Sequence, residues 1–403
     1  MNQYQTAERP AQGKGKVDIV VKCLAIYFAM MPFDSFPVFG MGSLLKAVAF
    51  LPLIAIIVLH RSTKIKLNKL TIAFILYVAS NAITCMYSVD FSSSLFELRR
   101  LLLNGVLIIA VGGMYNQYNQ EELNCLIKAL IIGGLATVVM TLIFSDTSST
   151  GRLTLAINGT KQDQNYINGY MYFAFAFFVN KLIGEKKIFY ALPSLALLVF
   201  TLMTGSRGAT VALVALALMV FVYNMFNAGR MKAGVMIVAF IVIITLYFGF
   251  DYIMSLLPSE ISVRFSADYI ANYRGTNRNV LWAAILRIFN EGNTFRKIFG
   301  YGYGTVPIVN TFNHLVAHNL WLDHLISGGI IGVAIMTYMH AMFVIEAWRQ
   351  KNPVIFASYM GYLTMCMTLS LTNYKPIWNC MMMIMILLSS RENEAEENFN
   401  FRR

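Results

Sequence analysis

Residues 188–226 read IFYALPSLALLVFTLMTGSRGATVALVALALMVFVYNMF, two apolar runs joined by the polar break Thr204-Gly205-Ser206-Arg207-Gly208. Arg207 is the only charged residue in the stretch. A bilayer core about 30 Å thick takes roughly 17–25 apolar residues per helix. Neither run alternates polar with apolar residues as a half-buried strand would, and in lipid only helices or closed barrels satisfy the backbone. The pair predicts two membrane helices meeting at a tight turn.

The same pattern recurs along the chain. Apolar runs fall near 17–33, 43–59, 70–88, 97–114, 124–143, 166–183, 188–203, 208–226, 233–250, 319–345, 354–371 and 376–390. They predict an all-α, polytopic membrane protein of about twelve transmembrane helices, with 1–403 as a single transmembrane domain. Composition agrees: 57% of the 403 residues are hydrophobic and 13% charged, about half the ~25% charge of a soluble domain. A disordered chain, an ordinary soluble enzyme and a disulfide-stapled secreted domain are excluded. Cys23, Cys85, Cys125, Cys366 and Cys380 lie in apolar stretches without a C-x-x-C pair, and read as small buried hydrophobes. The first sixteen residues are polar and basic and the first run is followed by another, so the first helix is expected to stay as an anchor.

Charge sets the expected orientation. There are 32 Lys+Arg against 20 Asp+Glu, a net +12, which on a soluble domain would suggest nucleic acid. Here cytoplasmic loops rich in Lys and Arg explain most of it, and no nucleic-acid partner is expected. With both termini cytoplasmic, the basic loop 60–69 lies inside, 391–403 forms a cytoplasmic tail, and 19 of the 32 basic residues are inner. The other thirteen are outer: Lys46, Arg99, Arg100, Arg152, Lys161, Arg207, Arg264, Arg274, Arg278, Arg287, Arg296, Lys297 and Lys375.

The outer face also carries the longest connection, 251–318, in which NVLWAAILRIFN (279–290) has the spacing of an amphipathic helix. Arginines gathered at a membrane face suit a pyrophosphate or other polyanion, because the guanidinium fork makes bidentate contacts. The competing explanation is headgroup snorkelling, expected for Arg264, Arg287, Arg296 and Lys297; Arg207, in its break, is expected to be functional. His318 opens the tenth run in Asn313-His314-Leu315-Val316-Ala317-His318-Asn319. A histidine at an outer helix start can act as a general base near neutral pH, and a helix N-terminus disfavours the imidazolium. His314 and His318, four apart, could share a metal only if 314–318 were helical and a third ligand existed. Gly300-Tyr301-Gly302-Tyr303-Gly304 reads equally as a flexible turn. His60 and His340 read as structural.

Four features together resemble the O-antigen ligase and polymerase superfamily of bacterial polysaccharide assembly. They are Asp163-Gln164-Asn165, Ser206-Arg207-Gly208, Arg278 followed by Trp282, and Gly300–Gly304 leading to His318-Asn319 with Leu322 and Gly329. The resemblance implies a GT-C-type glycosyltransferase of the bacterial inner membrane, acting in lipopolysaccharide biosynthesis. It would move a glycan from undecaprenyl pyrophosphate to an acceptor hydroxyl on a glycolipid or glycan, with inversion and without metal or cofactor. Carried over by position, His318 would be the catalytic base and Arg207 and Arg278 would hold the pyrophosphate. Arg274 is a neighbouring candidate, Arg99 and Arg100 are weaker matches, and Ser206, Asn319, Asn165 and His314 would support the site. A ligase acting on lipid A core sugars is favoured slightly over a polymerase acting on a second lipid-linked repeat, because one long outer loop dominates. A small-anion transporter, the alternative of another class, would put charges at mid-membrane, and the centres of these runs lack them.

Overall fold

The computed structural model describes residues 17–35, 43–59, 67–114, 118–147, 151–157, 160–227, 255–266, 268–269 and 278–391, with helix backbone over 392–400. The fold is mostly helical. In chain order come α1 (Ile19–Ala29), α2 (Leu44–Val48), α3 (Phe50–Leu59), α4 (Lys69–Cys85), α5 (Phe91–Ile109) and α6 (Gln120–Ile143). A two-residue hairpin, β1 (Ala156–Ile157) with β2 (Thr160–Lys161), precedes α7 (Gln164–Ile167), α8 (Tyr172–Ile183), α9 (Ala191–Met203) and α10 (Arg207–Asn227). Within the long connection 251–318 lie α11 (Ser259–Phe265), α12 (Arg278–Glu291), α13 (Thr294–Phe299) and α14 (Val306–Val309). Last are α15 (Leu320–Arg349), α16 (Pro353–Cys366) and α17 (Lys375–Asn400). Helices therefore occupy the predicted apolar runs, except 233–250, which lies outside the described residues, as does Arg274. The predicted tail is not separate at its start, because α17 continues through residue 400.

Short polar side chains start the helices by accepting the N–H groups that a first turn leaves free. Asp18, Asn68, Asp90 and Asn119 do this for α1, α4, α5 and α6, and Asn119 with Glu122 forms a reciprocal capping box. Asn352 caps α16, whose first residue, Pro353, has no N–H to satisfy. Hydroxyls inside α6 and α9 return to their own backbone: Thr137 donates to Gly133 O, Thr141 to Thr137 O and Thr201 to Leu197 O. Each of these three hydroxyls is thereby satisfied within its own helix.

Among the described residues three helices, Gln120–Ile143, Arg207–Phe226 and Leu320–Arg349, are long and apolar enough to cross a membrane. The flanks carry exposed apolar side chains in rows: Phe50, Leu51, Ile54 and Ile57 on α3, Leu192, Leu195 and Val199 on α9, Val211, Val214 and Leu218 on α10. Inside, α10 packs on α16 and α8, α4 on α15, and α1 on α6. The stretch Met381–Ile386 of α17 is buried on every side.

Contacts at helix ends pair residues that the sequence places on one face. At the face read as cytoplasmic, the buried Glu346 carboxylate holds Lys69 at 2.6 Å and Arg391 at 2.7 Å. At the opposite face Asp34 meets Lys375 and accepts the Tyr170 hydroxyl at 2.9 Å. α15 breaks near that face at Gly329, with φ +62°. Tyr301 and Gly302 donate their N–H groups to Ile326 O and Ser327 O at 2.8 and 2.9 Å. The glycine-rich segment is thus a strap docked on the kink, not a flexible turn. A Cβ on Gly329 would lie 2.4 Å from Ile298 O, and one on Gly300 (φ +82°) 2.4 Å from the Ser327 backbone, so neither position admits a side chain.

Candidate functional site

The break between α9 and α10 is built by two arginines from elsewhere in the chain. The last carbonyls of a helix lack intrahelical partners and carry partial negative charge. Arg152 Nε donates to Thr204 O at 2.7 Å, and Arg264 Nε to Gly205 O at 3.1 Å. Gly205 takes φ +61°, and both guanidinium stems crowd the place a Cβ would occupy. Asn168 donates to the Thr204 hydroxyl, and the buried Ser206 hydroxyl accepts Ala209 N–H, so Ser206 starts α10. Arg207 then projects with its guanidinium over the Tyr269 ring, 5.8 Å from the centroid.

Arg152 and Arg264 also line a cavity of about 690 Å³, together with Arg278, Asp163, Asn165 and His318, while Arg207 and Ser206 lie outside its lining. Asp163 caps α7 through Asn165 N–H, and the Asn165 side chain accepts Arg152 at 3.3 Å, so the Asp163-Gln164-Asn165 motif is one wall. Positive charges have been gathered against their mutual repulsion. Burial pulls the Arg152 guanidinium down to about 10, with Arg264 adding to the shift. Burial and the Arg207 charge lower Arg278 likewise. Three guanidinium groups against the single Asp163 carboxylate leave the cavity lining with an excess of positive charge.

His318 is held in place by its neighbour Ala317. The Ala317 N–H donates to Asp323 Oδ1 at 2.8 Å, and its carbonyl accepts Trp282 Nε1 at 2.9 Å. Arg278 and Trp282 are four residues apart on α12, so one face of one helix supplies both a cavity cation and a clamp on the histidine loop. His318 has φ +51°, a left-handed conformation unfavourable for a side-chain-bearing residue. Asn319 caps α15 by accepting Trp321 and Leu322 N–H, and donates to Met367 O. His318 Nδ1 is enclosed and has no hydrogen-bond partner. Burial, then the Arg278 charge, hold the imidazole below its usual value, with Asp163 acting in the opposite sense. It is therefore neutral, and able to accept a proton, at neutral pH.

A second cavity of about 440 Å³ lies alongside, lined by Asp34, Glu97, Arg100, Asp163, Asp323 and several tyrosines. Asp163 borders both cavities. Arg100 pairs with Glu97 at 2.7 Å, while Arg99 is exposed over the Phe96 ring and lies at neither cavity. His314 is exposed, with Nδ1 3.3 Å from Pro307 O, and is also apart from both. Residues 314–318 are not helical, with φ positive at both histidines. The shared helix face that a metal pair requires is absent.

Arg264 corrects the snorkelling expectation, since it is built into the turn beside Arg207. Arg296 does too: it donates to Tyr87 O and Gly300 O and braces the strap. Arg152 and Asp323 have roles that sequence spacing does not reveal, although Arg152 stands out as an outer basic residue in a short loop; Trp282, named with Arg278, gains its contact to Ala317 O only in the fold. No protein-family model matches this chain, and no curated protein matches it.

Proposed function

We propose that the protein is a membrane glycosyltransferase that moves a glycan from undecaprenyl pyrophosphate to an acceptor hydroxyl at the outer face of the bacterial inner membrane. One observation carries the reading: a cavity ringed by Arg152, Arg264 and Arg278, with Arg207 adjoining, holds an unprotonated, backbone-anchored His318 at its wall. The rows of exposed apolar side chains support a helix bundle lying in lipid; about twelve spans and cytoplasmic termini belong to the proposal and rest on the apolar runs and the Lys/Arg placement.

The chemistry follows from the groups. The acceptor oxygen attacks the anomeric carbon of the donor from the side opposite the pyrophosphate. Its proton passes to His318 while the bond from C1 to the phosphate oxygen breaks, and the undecaprenyl pyrophosphate leaves with the electron pair. The configuration at C1 inverts. Pyrophosphate is an acidic leaving group and needs no proton, but charge grows on its oxygens; preorganised guanidinium groups stabilise that charge, the part a divalent ion plays elsewhere. The acceptor is a sugar hydroxyl of the lipid A core in a ligase, or of a second lipid-linked repeat in a polymerase. The single long outer loop favours the ligase.

Protein in lipid nanodiscs, given lipid-linked glycan from its source membranes with either acceptor and with EDTA, should form product. His318→Ala should abolish transfer and retain donor binding; Arg207→Ala should weaken donor binding and rate. Absence of transfer to both acceptors refutes the enzyme reading, and abolition by EDTA refutes its metal-free form.

A further inference from the structure

The second cavity is not explained by donor chemistry. Its carboxylates, Asp34, Glu97, Asp163 and Asp323, outnumber its cations, Arg100 and the Lys375 that pairs with Asp34. Both cations are already paired with carboxylates of the same cavity, so none is left to hold a pyrophosphate. Tyr166, Tyr170, Tyr303 and Tyr374 line it; the hydroxyls of Tyr166, Tyr170 and Tyr374 donate to Ser370 O, Asp34 and Tyr166 O and can still accept. It also has buried polar atoms waiting for a partner. Asp323 is 5% exposed, and its Oδ2, beside the Ser370 hydroxyl, makes no hydrogen bond of good geometry. Asn373 gives Nδ2 to Glu97 at 2.6 Å, while its Oδ1 is enclosed and unpartnered. Enclosed polar atoms without partners cost free energy, and a ligand rich in hydroxyl groups would satisfy them.

From this we infer that the cavity is a saccharide site taking an uncharged sugar, the acceptor end of the transfer reaction. The assignment of the sugar as acceptor rests on the glycosyltransferase reading; the site itself does not. Sugar recognition combines ring faces against aromatic side chains with hydroxyls donating to carboxylates and amide oxygens, and this cavity supplies all three. A phosphorylated or uronic-acid sugar would meet excess negative charge. Position fits the role. The segment 315–318 is a partition, with Leu315 and His318 on the arginine cavity and Val316 on the acidic one. Asp163 lines both cavities. In this proposal the sugar presents a hydroxyl to His318 on the side of Asp163, the residue the two cavities share.

The test uses the full chain in lipid nanodiscs and saturation-transfer NMR. Probes are neutral hexoses, N-acetylhexosamines and their short oligomers, their 6-phosphates and uronic acids, and, separately, inorganic pyrophosphate. Neutral sugars should bind without displacing pyrophosphate. Glu97→Gln should weaken them at least tenfold, and Thr372→Trp, which fills the cavity from a half-buried loop position, should abolish the signal. Pyrophosphate binding should be unchanged in both. If Thr372→Trp does not fold, Glu97→Gln carries the comparison. Absence of neutral-sugar binding, preference for the charged sugars, or neutral-sugar signals equal to wild type in the variants overturns the site. Loss of pyrophosphate binding in wild type counts against the transferase reading and leaves the sugar site standing.

Discussion

Asp323→Ala isolates what holds the proposed base in position. Asp323 Oδ1 accepts Ala317 N–H at 2.8 Å, immediately before a histidine at φ +51°. A left-handed conformation costs a side-chain-bearing residue roughly 1–2 kcal/mol, and leaving a buried N–H without its acceptor costs about 1–3 kcal/mol. The carboxylate thus offsets the strain. Removing it costs about 2 kcal/mol, which at 1.36 kcal/mol per tenfold shifts the loop about 30-fold away from the reactive conformation. Asp323→Asn keeps an acceptor of about half the strength, and a loss of about fivefold is expected. The assay is transfer rate with both substrates saturating, alongside donor affinity and thermal unfolding in nanodiscs. kcat should fall on the order of 10- to 30-fold for Asp323→Ala, with donor affinity within about twofold, because the arginines stand on other elements. Trp282→Phe removes the other hold on Ala317, so the double variant should lose less than the sum of the two. An unchanged kcat, or donor affinity falling in step with kcat, would refute the positioning role.

Three further outcomes are expected. Because His318 must be neutral to act and its imidazole is held below 6.5, the acid limb of kcat/KM should lie below pH 6.5. Arg278→Gln removes a lowering influence and should move the limb up; Asp163→Asn removes a raising one and should move it down, and shifts of the opposite sign would exclude His318 as the titrating group. Gly329→Ala should lower the unfolding temperature sharply, since its Cβ meets Ile298 O at φ +62°. Gly328→Ala, whose Cβ would have nothing within 4 Å, should be nearly neutral; similar behaviour of the two would deny the docked strap. His314→Ala should retain near wild-type kcat, since His314 is exposed and at neither cavity, and a loss matching His318→Ala would place it in the site after all.

Residues 188–226 show how far a sequence can be read. Two apolar runs with one arginine between them announce two helices and a turn, because apolar length is a local property. Arg207 was conspicuous for the same local reason, a charge in a break without a neighbour to pair it. Arg152 and Arg264 were not, because their value comes from reaching Thr204 O and Gly205 O across 52 and 59 residues. Gly300–Gly304 has no local meaning either; its function is to fill the carbonyls freed by the kink at Gly329. The acidic cavity was invisible, since Asp34, Glu97, Asp163 and Asp323 are spread over most of the chain.

By itself, then, the sequence determined that the chain is helical and apolar, which segments form the helices, and that His318 and Arg207 stand at helix starts. Those properties depend on hydrophobicity and capping within a few residues. Only the tertiary structure decided which arginines converge, that His318 is buried and neutral, and that a carboxylate-rich cavity adjoins it. Burial and charge density depend on groups brought within a few ångströms from distant positions, and no local pattern encodes them.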